Sequence, residues 1–294
     1  IMNKRINKVI ALLEAGQPVY STSAKELTYN TGKLMSQTWA DLILVDFEHH
    51  AFDIVGLTQF MKGLKDGGPT PDGYLMPTVV STLPSNCMSK EEILYNAWQT
   101  RHVLSTGAHG VLQTHTRDVE AVKTFVATAR YPYQKLGSEF LPEGLRGSGG
   151  QKQPSEIWGI TQREYTDLAD PWPLNPKGEI LLGLKIEDRY CVDNAEKIAA
   201  VPGIGFAEWG PGDMGMSYGD PDAHDPPYPE FMNEAREKVR AALDKSNVAF
   251  YSSWNDKKLT IKERVDHLID NVGAKILAGL SKDYADYGRI KTGL

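Results

Sequence analysis

The chain has 294 residues, with 32 Lys plus Arg against 38 Asp plus Glu, so its formal net charge is −6. This mild acidity excludes a nucleic-acid surface built on positive charge, and a hydrophobic share of 41% excludes a disordered chain. No apolar run approaches the roughly 20 residues that span a bilayer, and the chain opens on a polar amphipathic segment. We therefore expect a cytoplasmic protein with neither a membrane nor a nucleic-acid partner.

Eight short β-rich runs alternate with segments of helical periodicity. In chain order, the predicted strands are Pro18 to Thr22, Asp41 to Asp46, Tyr74 to Val80, Gly110 to Gln113, Ile180 to Ile186, Gly205 to Trp209, Ala249 to Ser252 and Lys275 to Ala278. Alternation of this kind is typical of α/β proteins with a parallel sheet covered by crossover helices. Eight βα units predict a closed (β/α)₈ TIM barrel over residues 1–294 as a single domain. An open doubly wound sheet has the same local pattern and remains the alternative.

The segment from Tyr131 to Lys177 interrupts the alternation. It is rich in Pro, Gly and Trp and has little periodicity. Unstructured connections of this length are unusual inside a compact domain, and they more often form a lid or a subunit contact than a linker. We therefore predict an insertion over residues 131–177 that caps one end of the barrel. A surface segment with no substrate role is the alternative.

Polar groups collect where the second predicted strand ends. Asp46, Glu48 and His49 follow one another closely there, and catalytic groups of a (β/α)₈ barrel lie at such strand ends. A carboxylate three positions before an imidazole can fix its tautomer and raise its basicity. We expect His49 to be a base oriented by Asp46, and a half-buried histidine bonded to a neighbouring carbonyl is the alternative. His115, at the end of the fourth strand, is a further candidate for the mouth of the barrel, with a solvated position at a helix start as the alternative.

Two more strand ends carry charged residues. Lys185 and Glu187 share a face of the fifth strand by two-residue alternation, and Asp213 follows the sixth. A carboxylate pair from adjacent strands, here Glu187 and Asp213, is what a hard divalent cation binds. Ordinary acids at loop edges that cap helices are the alternative.

The turn before Asp213 reads Gly210, Pro211 and Gly212. Glycines let backbone N–H groups approach a substrate carboxylate without an intervening side chain. This turn is therefore a candidate substrate-binding element.

These strand ends resemble the HpcH/HpaI aldolase family, the class II metal-dependent pyruvate aldolases of the citrate lyase β-like superfamily, of which macrophomate synthase is a relative. The stretches that carry the resemblance are LILVDFEHH, TGAHGVLQ, ARYP followed by PEGLRG, LLGLKIEDRYCVDNAEKIAAVPGI and FAEWGPGDMG. The resemblance implies a (β/α)₈ barrel assembled as a hexamer, a trimer of dimers. It also implies that Glu187 and Asp213 bind Mg²⁺, Mn²⁺ or Co²⁺.

The resemblance further implies the reaction and its site. The reaction is aldol cleavage, or the reverse addition, of a 4-hydroxy-2-oxo acid, which gives pyruvate or a related 2-oxo acid and an aldehyde. His49 is implied as the acid/base, with Asp46 as its orienting partner. The backbone of Gly210 to Gly212 is implied to hold the carboxylate of the 2-oxo acid.

The chain departs from the family pattern at the third strand. Family members usually carry an Arg there that polarises the 2-oxo group, whereas this chain has Ser81, which we predict to be a substrate-binding residue at that position. Lys185, where the family commonly has Gln, lies two residues before Glu187, and we hypothesise that it supplies the missing positive charge.

The missing Arg keeps other functions open. They are decarboxylation of an oxo-diacid, a lyase reaction on acyl-CoA substrates, and a barrel that binds 2-oxo acids without turnover. A Schiff base at Lys185 is a mechanistic rival, disfavoured because a neighbouring carboxylate would keep the amine protonated.

Overall fold

The computed structural model describes residues 5–279 and 281–294. Within these residues, nine strands pair in parallel in one sheet. They are Val19–Ser23 (β1), Leu42–Val45 (β2), Thr78–Cys87 (β3), Gly110–Thr116 (β4), Pro171–Trp172 (β5), Ile180–Lys185 (β6), Phe206–Glu208 (β7), Ala249–Ser252 (β8) and Ile276–Leu277 (β9).

The sheet closes on itself. β1 to β4 lie side by side, β1 also pairs with β9, and β8, β7 and β6 continue the order beyond it. β4 then pairs with β6, with Gly110 opposite Leu181 and Gln113 opposite Leu184. β5 only extends the pairing at the start of β6. The other eight strands form the predicted (β/α)₈ barrel, and the open doubly wound sheet is excluded.

Helices surround the barrel and connect its strands. They are Lys8–Glu14 (α1), Tyr29–Met35 (α2), Ile54–Asp66 (α3), Lys90–Ser105 (α4), Val119–Thr128 (α5), Lys152–Trp158 (α6), Gln162–Leu168 (α7), Arg189–Val192 (α8), Ala195–Ala199 (α9), Pro211–Ser217 (α10), Glu230–Lys245 (α11), Ile261–Asp266 (α12) and Lys282–Thr292 (α13). A π-helical turn, His267–Val272, continues α12. Among the described helices, none has the length and apolar character needed to cross a membrane.

Apolar side chains fill the interior of the barrel. Inward-facing residues of the strands pack together with one face of α1, which closes the amino-terminal end. They include Val9, Ile10, Leu42, Val80, Leu112, Leu181 and Phe206. The ring of Phe206 needs the glycine at position 183, because a Cβ there would lie 2.3 Å from that ring. The packed interior therefore confines polar chemistry to the carboxyl ends of the strands.

The largest difference from the predicted strand boundaries concerns β3. The strand begins at Thr78, four residues later than predicted, and continues to Cys87. Its register with β4 shifts between Thr82 and Asn86 and again at Cys87. The polar, irregular second half of β3 has no clean alternation, so the sequence pattern did not indicate it.

The insertion, residues 131–177, contains α6, α7 and β5. Trp158 of α6 donates from Nε1 to the carbonyl of Gly107 at 2.8 Å, and its ring stacks on that of His109. Gly107 and His109 precede β4, so these contacts lie at the amino-terminal end of the barrel, opposite the mouth. A lid function for this segment, and the single-domain assignment of 1–294, stay predictions.

Candidate active site

An ammonium group surrounded by carboxylates forms the centre of the mouth. Lys185 Nζ lies 2.5 Å from Glu48 Oε2, 3.7 Å from Glu187 Oε2 and 3.9 Å from Glu208 Oε2. The Lys185 side chain is only 10% exposed. Burial alone would lower the pKa of the ammonium, but the carboxylates of Glu208, Glu187 and Glu48 outweigh burial and the pKa is raised. Lys185 is therefore a fixed cation.

Strand register explains this arrangement. Lys185 on β6 is the direct partner of Glu208 on β7, and both side chains face into the barrel. Glu187 follows Lys185 by two residues and is fully buried. Glu48 reaches the same point from the loop after β2.

Glu187 is held from two directions. The backbone N–H of His115 donates to Glu187 Oε1 at 3.0 Å, and a Cβ at position 210 would lie 2.7 Å from Glu187 Oε2, so glycine there lets the turn approach. Burial raises the pKa of Glu187 to about 8, against the opposing effect of Lys185. A buried carboxylate in this setting gains stability from a further positive partner.

Four side chains could hold a metal ion. Glu48, His115, Glu187 and Asp213 each offer a ligand atom, and these atoms lie within 4.8 Å of one another. Opposite ligands of an ion with bonds of roughly 2.1 Å are about 4.2 Å apart, so little adjustment is needed. Glu48 Oε1 and Glu187 Oε2 are buried and have no hydrogen-bond partner among the described residues. The donor set fits a divalent cation, and it unites the predicted pair, Glu187 and Asp213, with two further ligands.

His49 and Asp46 form a separate pair beside this cluster. His49 Nδ1 lies 2.9 Å from Asp46 Oδ2, and the hydroxyl of Thr82 donates to Asp46 Oδ1 at 3.1 Å. Burial would raise the pKa of Asp46, but its bonds to His49 and Thr82 outweigh burial and lower it. The ionised Asp46 therefore fixes Nδ1 of His49 as the protonated nitrogen, and Nε2 of the 58% exposed ring is left as a base.

Ser81 lies apart from the cluster. Its neighbours Val80 and Thr82 face the barrel interior, so alternation turns the Ser81 side chain toward the helices. The side chain is buried, and its hydroxyl donates to the Thr82 carbonyl at 2.7 Å. The inward-facing polar residue at this level of β3 is Thr82.

The turn predicted to bind substrate is placed beside the donor set. Gly210 is the N-cap residue of α10, Pro211 is its first residue and Asp213 lies in its first turn. Gly212 faces open space, because a Cβ there would meet no atom within 4 Å.

Two residues of the cluster were not among the predicted site residues. Glu208 precedes the Gly210 turn by two positions, and its alternation with Phe206 was the signal that could have identified it. Glu48 lies in the same short run as Asp46 and His49, but β2 ends at Val45 and alternation no longer indicates its direction.

Comparison with known proteins places the chain in a family. The profile described as HpcH/HpaI aldolase/citrate lyase matches residues 92–271. A hydroxypyruvate/pyruvate aldolase of Chromohalobacter salexigens is 27% identical over 205 residues, which cover 68% of this chain and 71% of the relative.

Two solved structures share the fold. An HpcH/HpaI aldolase/citrate lyase family protein of Burkholderia cenocepacia superposes with a TM-score of 0.71 at 19% identity, covering 98% of this chain and 97% of that one. Macrophomate synthase superposes with a TM-score of 0.61 at 17% identity, covering 98% of this chain and 86% of that one. The profile match spans more than half of the sequence. The chain is a lyase of the aldolase type and belongs to the HpcH/HpaI aldolase/citrate lyase family.

Proposed function

We propose that the chain cleaves and forms the C3–C4 bond of a 4-hydroxy-2-oxo acid, with pyruvate or a related 2-oxo acid and an aldehyde as the products. The observation that carries this proposal is the donor set of Glu48, His115, Glu187 and Asp213 directly beside the buried Lys185 ammonium. A cation site next to a fixed positive charge can stabilise a developing enolate.

We propose that Glu187 and Asp213 hold a divalent cation, Mg²⁺, Mn²⁺ or Co²⁺, with Glu48 and His115 as further ligands. When bound, such an ion supplies Lewis-acid stabilisation of negative charge on the 2-oxo group and carboxylate. Two buried oxygens of this cluster, Glu48 Oε1 and Glu187 Oε2, have no hydrogen-bond partner among the described residues, and a bound cation would satisfy both.

The substrate carboxylate is assigned to the turn of Gly210, Pro211 and Gly212. The turn has no side chain over Gly212, and its N–H groups begin α10 beside Glu187. Lys185 also lies beside Glu187, with Nζ 3.7 Å from Oε2. Its ammonium would neutralise charge that develops on the 2-oxo oxygen, which is the function that the family's Arg has and that Ser81 cannot supply.

The proton transfer is assigned to His49. In the cleavage direction, Nε2 takes the proton of the C4 hydroxyl, directly or through a water, while the C3–C4 bond breaks. The C4 carbon leaves as the aldehyde, and the electron pair of the bond remains on C3 as the enolate. Protonation of C3 then gives the 2-oxo acid. Asp46 stabilises the imidazolium that forms.

The relative named hydroxypyruvate/pyruvate aldolase supports a small 2-oxo acid as the nucleophile in the addition direction. A trimer of dimers and a cytoplasmic location stay predictions, and we expect no nucleic-acid or membrane partner. Light scattering coupled to size-exclusion chromatography measures the oligomeric state directly.

Pyruvate release from a panel of 4-hydroxy-2-oxo acids tests the proposal. Metal-stripped protein is assayed with and without Mg²⁺, Mn²⁺ or Co²⁺, and oxaloacetate is included alongside. We expect metal-dependent release from the hydroxy acids. Release only from oxaloacetate would favour the decarboxylase alternative, and acyl-CoA substrates test the third candidate.

Two further outcomes distinguish the remaining alternatives. Thermal protection by oxalate plus metal without any turnover would indicate a non-catalytic binding barrel. Activity that survives EDTA and is trapped by borohydride would indicate a Schiff base at Lys185. The raised pKa of Lys185 argues against that mechanism, because the amine must be neutral to attack a carbonyl.

A further inference from the structure

A second charged cavity lies at the opposite end of the barrel from the carboxylates. It has a volume of about 320 Å³ and is lined by the last two turns of α4 and by a glycine-rich loop of the insertion. The lining residues are Arg101, His102, Ser105, Tyr131, Arg146, Gly147, Ser148 and Gly150. Because α4 leads into the amino-terminal end of β4, this cavity is remote from Lys185 and the proposed metal ligands.

The buried side chain of Arg146 is the main evidence for a ligand in this cavity. Arg146 is only 4% exposed. Nη2 donates to the hydroxyl of Tyr165 at 2.9 Å, and the guanidinium lies over the rings of Tyr131 and Tyr165 at 4.5 and 5.4 Å. Nη1 is buried and has no hydrogen-bond partner among the described residues. A buried guanidinium with an unused donor is costly unless an acceptor occupies the space beside it.

The basic side chains around the cavity have no carboxylate partner among the described residues. In the described part of the chain, no carboxylate oxygen lies within 4.0 Å of the charged nitrogens of Arg101, His102 or Arg146. By contrast, the equally buried Arg130 pairs with Asp170 at 2.7 Å. The cavity therefore lacks the negative partner that the fold provides for a comparable arginine.

The glycine-rich loop adds neutral donors. Gly149 N–H bonds to the Gln151 side chain at 2.8 Å, but the N–H groups of Gly147, Ser148 and Gly150 have no acceptor in the described structure. Free backbone amides close together in a turn can bind oxyanions. A tetrahedral oxyanion can accept bonds from an arginine and several amides at once.

We propose that this cavity is a binding site for a phosphoryl group, either inorganic phosphate or the phosphate of a small phosphomonoester. Arg146 and the loop amides form its floor, and Arg101 and His102 form its more exposed rim. The site is independent of the aldolase proposal, because none of its residues contacts the carboxylate cluster.

Thermal unfolding and ³¹P nuclear magnetic resonance titrations test the site. The probes are phosphate and glycerol 3-phosphate, with potassium chloride at equal ionic strength as the reference. We expect both probes to raise the unfolding midpoint above the chloride value. Tighter binding of glycerol 3-phosphate would identify a phosphomonoester as the occupant, and tighter binding of phosphate would identify the free ion.

Three substitutions test whether phosphate binds in this cavity. Arg101→Gln removes an exposed charge that the fold does not need, and we expect it to weaken phosphate binding about tenfold. Arg163→Gln makes the same charge change on the exposed face of α7 and should leave binding unchanged. Arg146→Gln should abolish binding, provided that its circular dichroism spectrum is native. The proposal would be overturned if the phosphate probes gave the same unfolding midpoint as chloride at equal ionic strength. It would also be overturned if R101Q bound phosphate as tightly as the unaltered protein.

Discussion

Lys185 and Glu208 lie opposite each other on β6 and β7, and their side chains meet at the mouth with 3.9 Å between Nζ and Oε2. The pair joins the ammonium to a group of carboxylates from three different strand ends. Under the proposed function, this positive charge would take the place of the Arg that the family resemblance implies on the third strand.

Replacing Lys185 by Met should lower turnover by about a hundredfold, because a charge that stabilises the enolate is lost. Affinity for Mn²⁺ should be retained or increased, since the ammonium no longer competes for Glu48 and Glu187. Steady-state kinetics and Mn²⁺ titration measure the two effects. Lys245→Met, at an exposed position of α11, is the control. Unchanged turnover in K185M would contradict the function assigned to Lys185.

Replacing Glu208 by Gln should make the metal-free protein more stable and the enzyme less active. Burial raises the pKa of Glu208, and Oε2 has no hydrogen-bond partner within the described residues, so a neutral amide should stabilise the metal-free fold. We expect the unfolding midpoint in EDTA to rise by about 2 °C or more. Turnover should fall about tenfold, because Lys185 loses one of the carboxylates that orient it. A lower midpoint in E208Q than in Glu237→Gln, the surface control, would refute this.

Replacing Asp46 by Asn should impair the base. The amide cannot stabilise the imidazolium of His49, so kcat should fall by about a hundredfold, and the acidic limb of its pH profile, where His49 becomes protonated, should move to lower pH. KM should change little, because Asp46 is assigned no direct substrate contact. A pH profile identical to that of the unaltered enzyme would show that His49 does not work through Asp46.

His109 should make the fold sensitive to acid. Burial lowers its pKa to about 3, below the unfolded value of about 6.5, so stability is complete above pH 6.5 and is lost as the pH falls toward 3. The loss should approach about 1.4 kcal/mol per pH unit. His109→Asn keeps an acceptor for the Val79 N–H, which now donates to His109 Nδ1 at 3.1 Å.

Urea unfolding at pH 7 and pH 5.5 measures this effect. The unaltered protein should lose about 1 kcal/mol more than H109N over this interval. Equal losses would show that His109 can be protonated without unfolding.

Much of the barrel could be predicted from the sequence because each strand is a short apolar run between helical segments. The proximity of Glu187 and Asp213 could be predicted because neighbouring parallel strands end at one edge of the sheet. The second half of β3 could not be predicted, because it depends on an irregular register with β4 that local alternation does not encode.

The rest of the site depends on contacts between distant segments. Glu48 meets Lys185 across 137 positions, and the loop after β2 has no periodicity that indicates which way its side chains point. The short helices α6 and α7 have seven residues each, too few for a recognisable helical pattern. Their positions come from tertiary packing, such as the stacking of Trp158 on His109.

Metal binding by Asp213→Asn tests the central claim most directly. Mn²⁺ titration and metal-dependent pyruvate release are measured on D213N, on the unaltered protein and on Asp222→Asn, which makes the same change at an exposed position of the following loop. We predict one Mn²⁺ per chain in the unaltered protein and D222N, and loss of both binding and turnover in D213N. Unaltered binding in D213N, or full turnover of every form in EDTA, would contradict a metal site at Glu187 and Asp213.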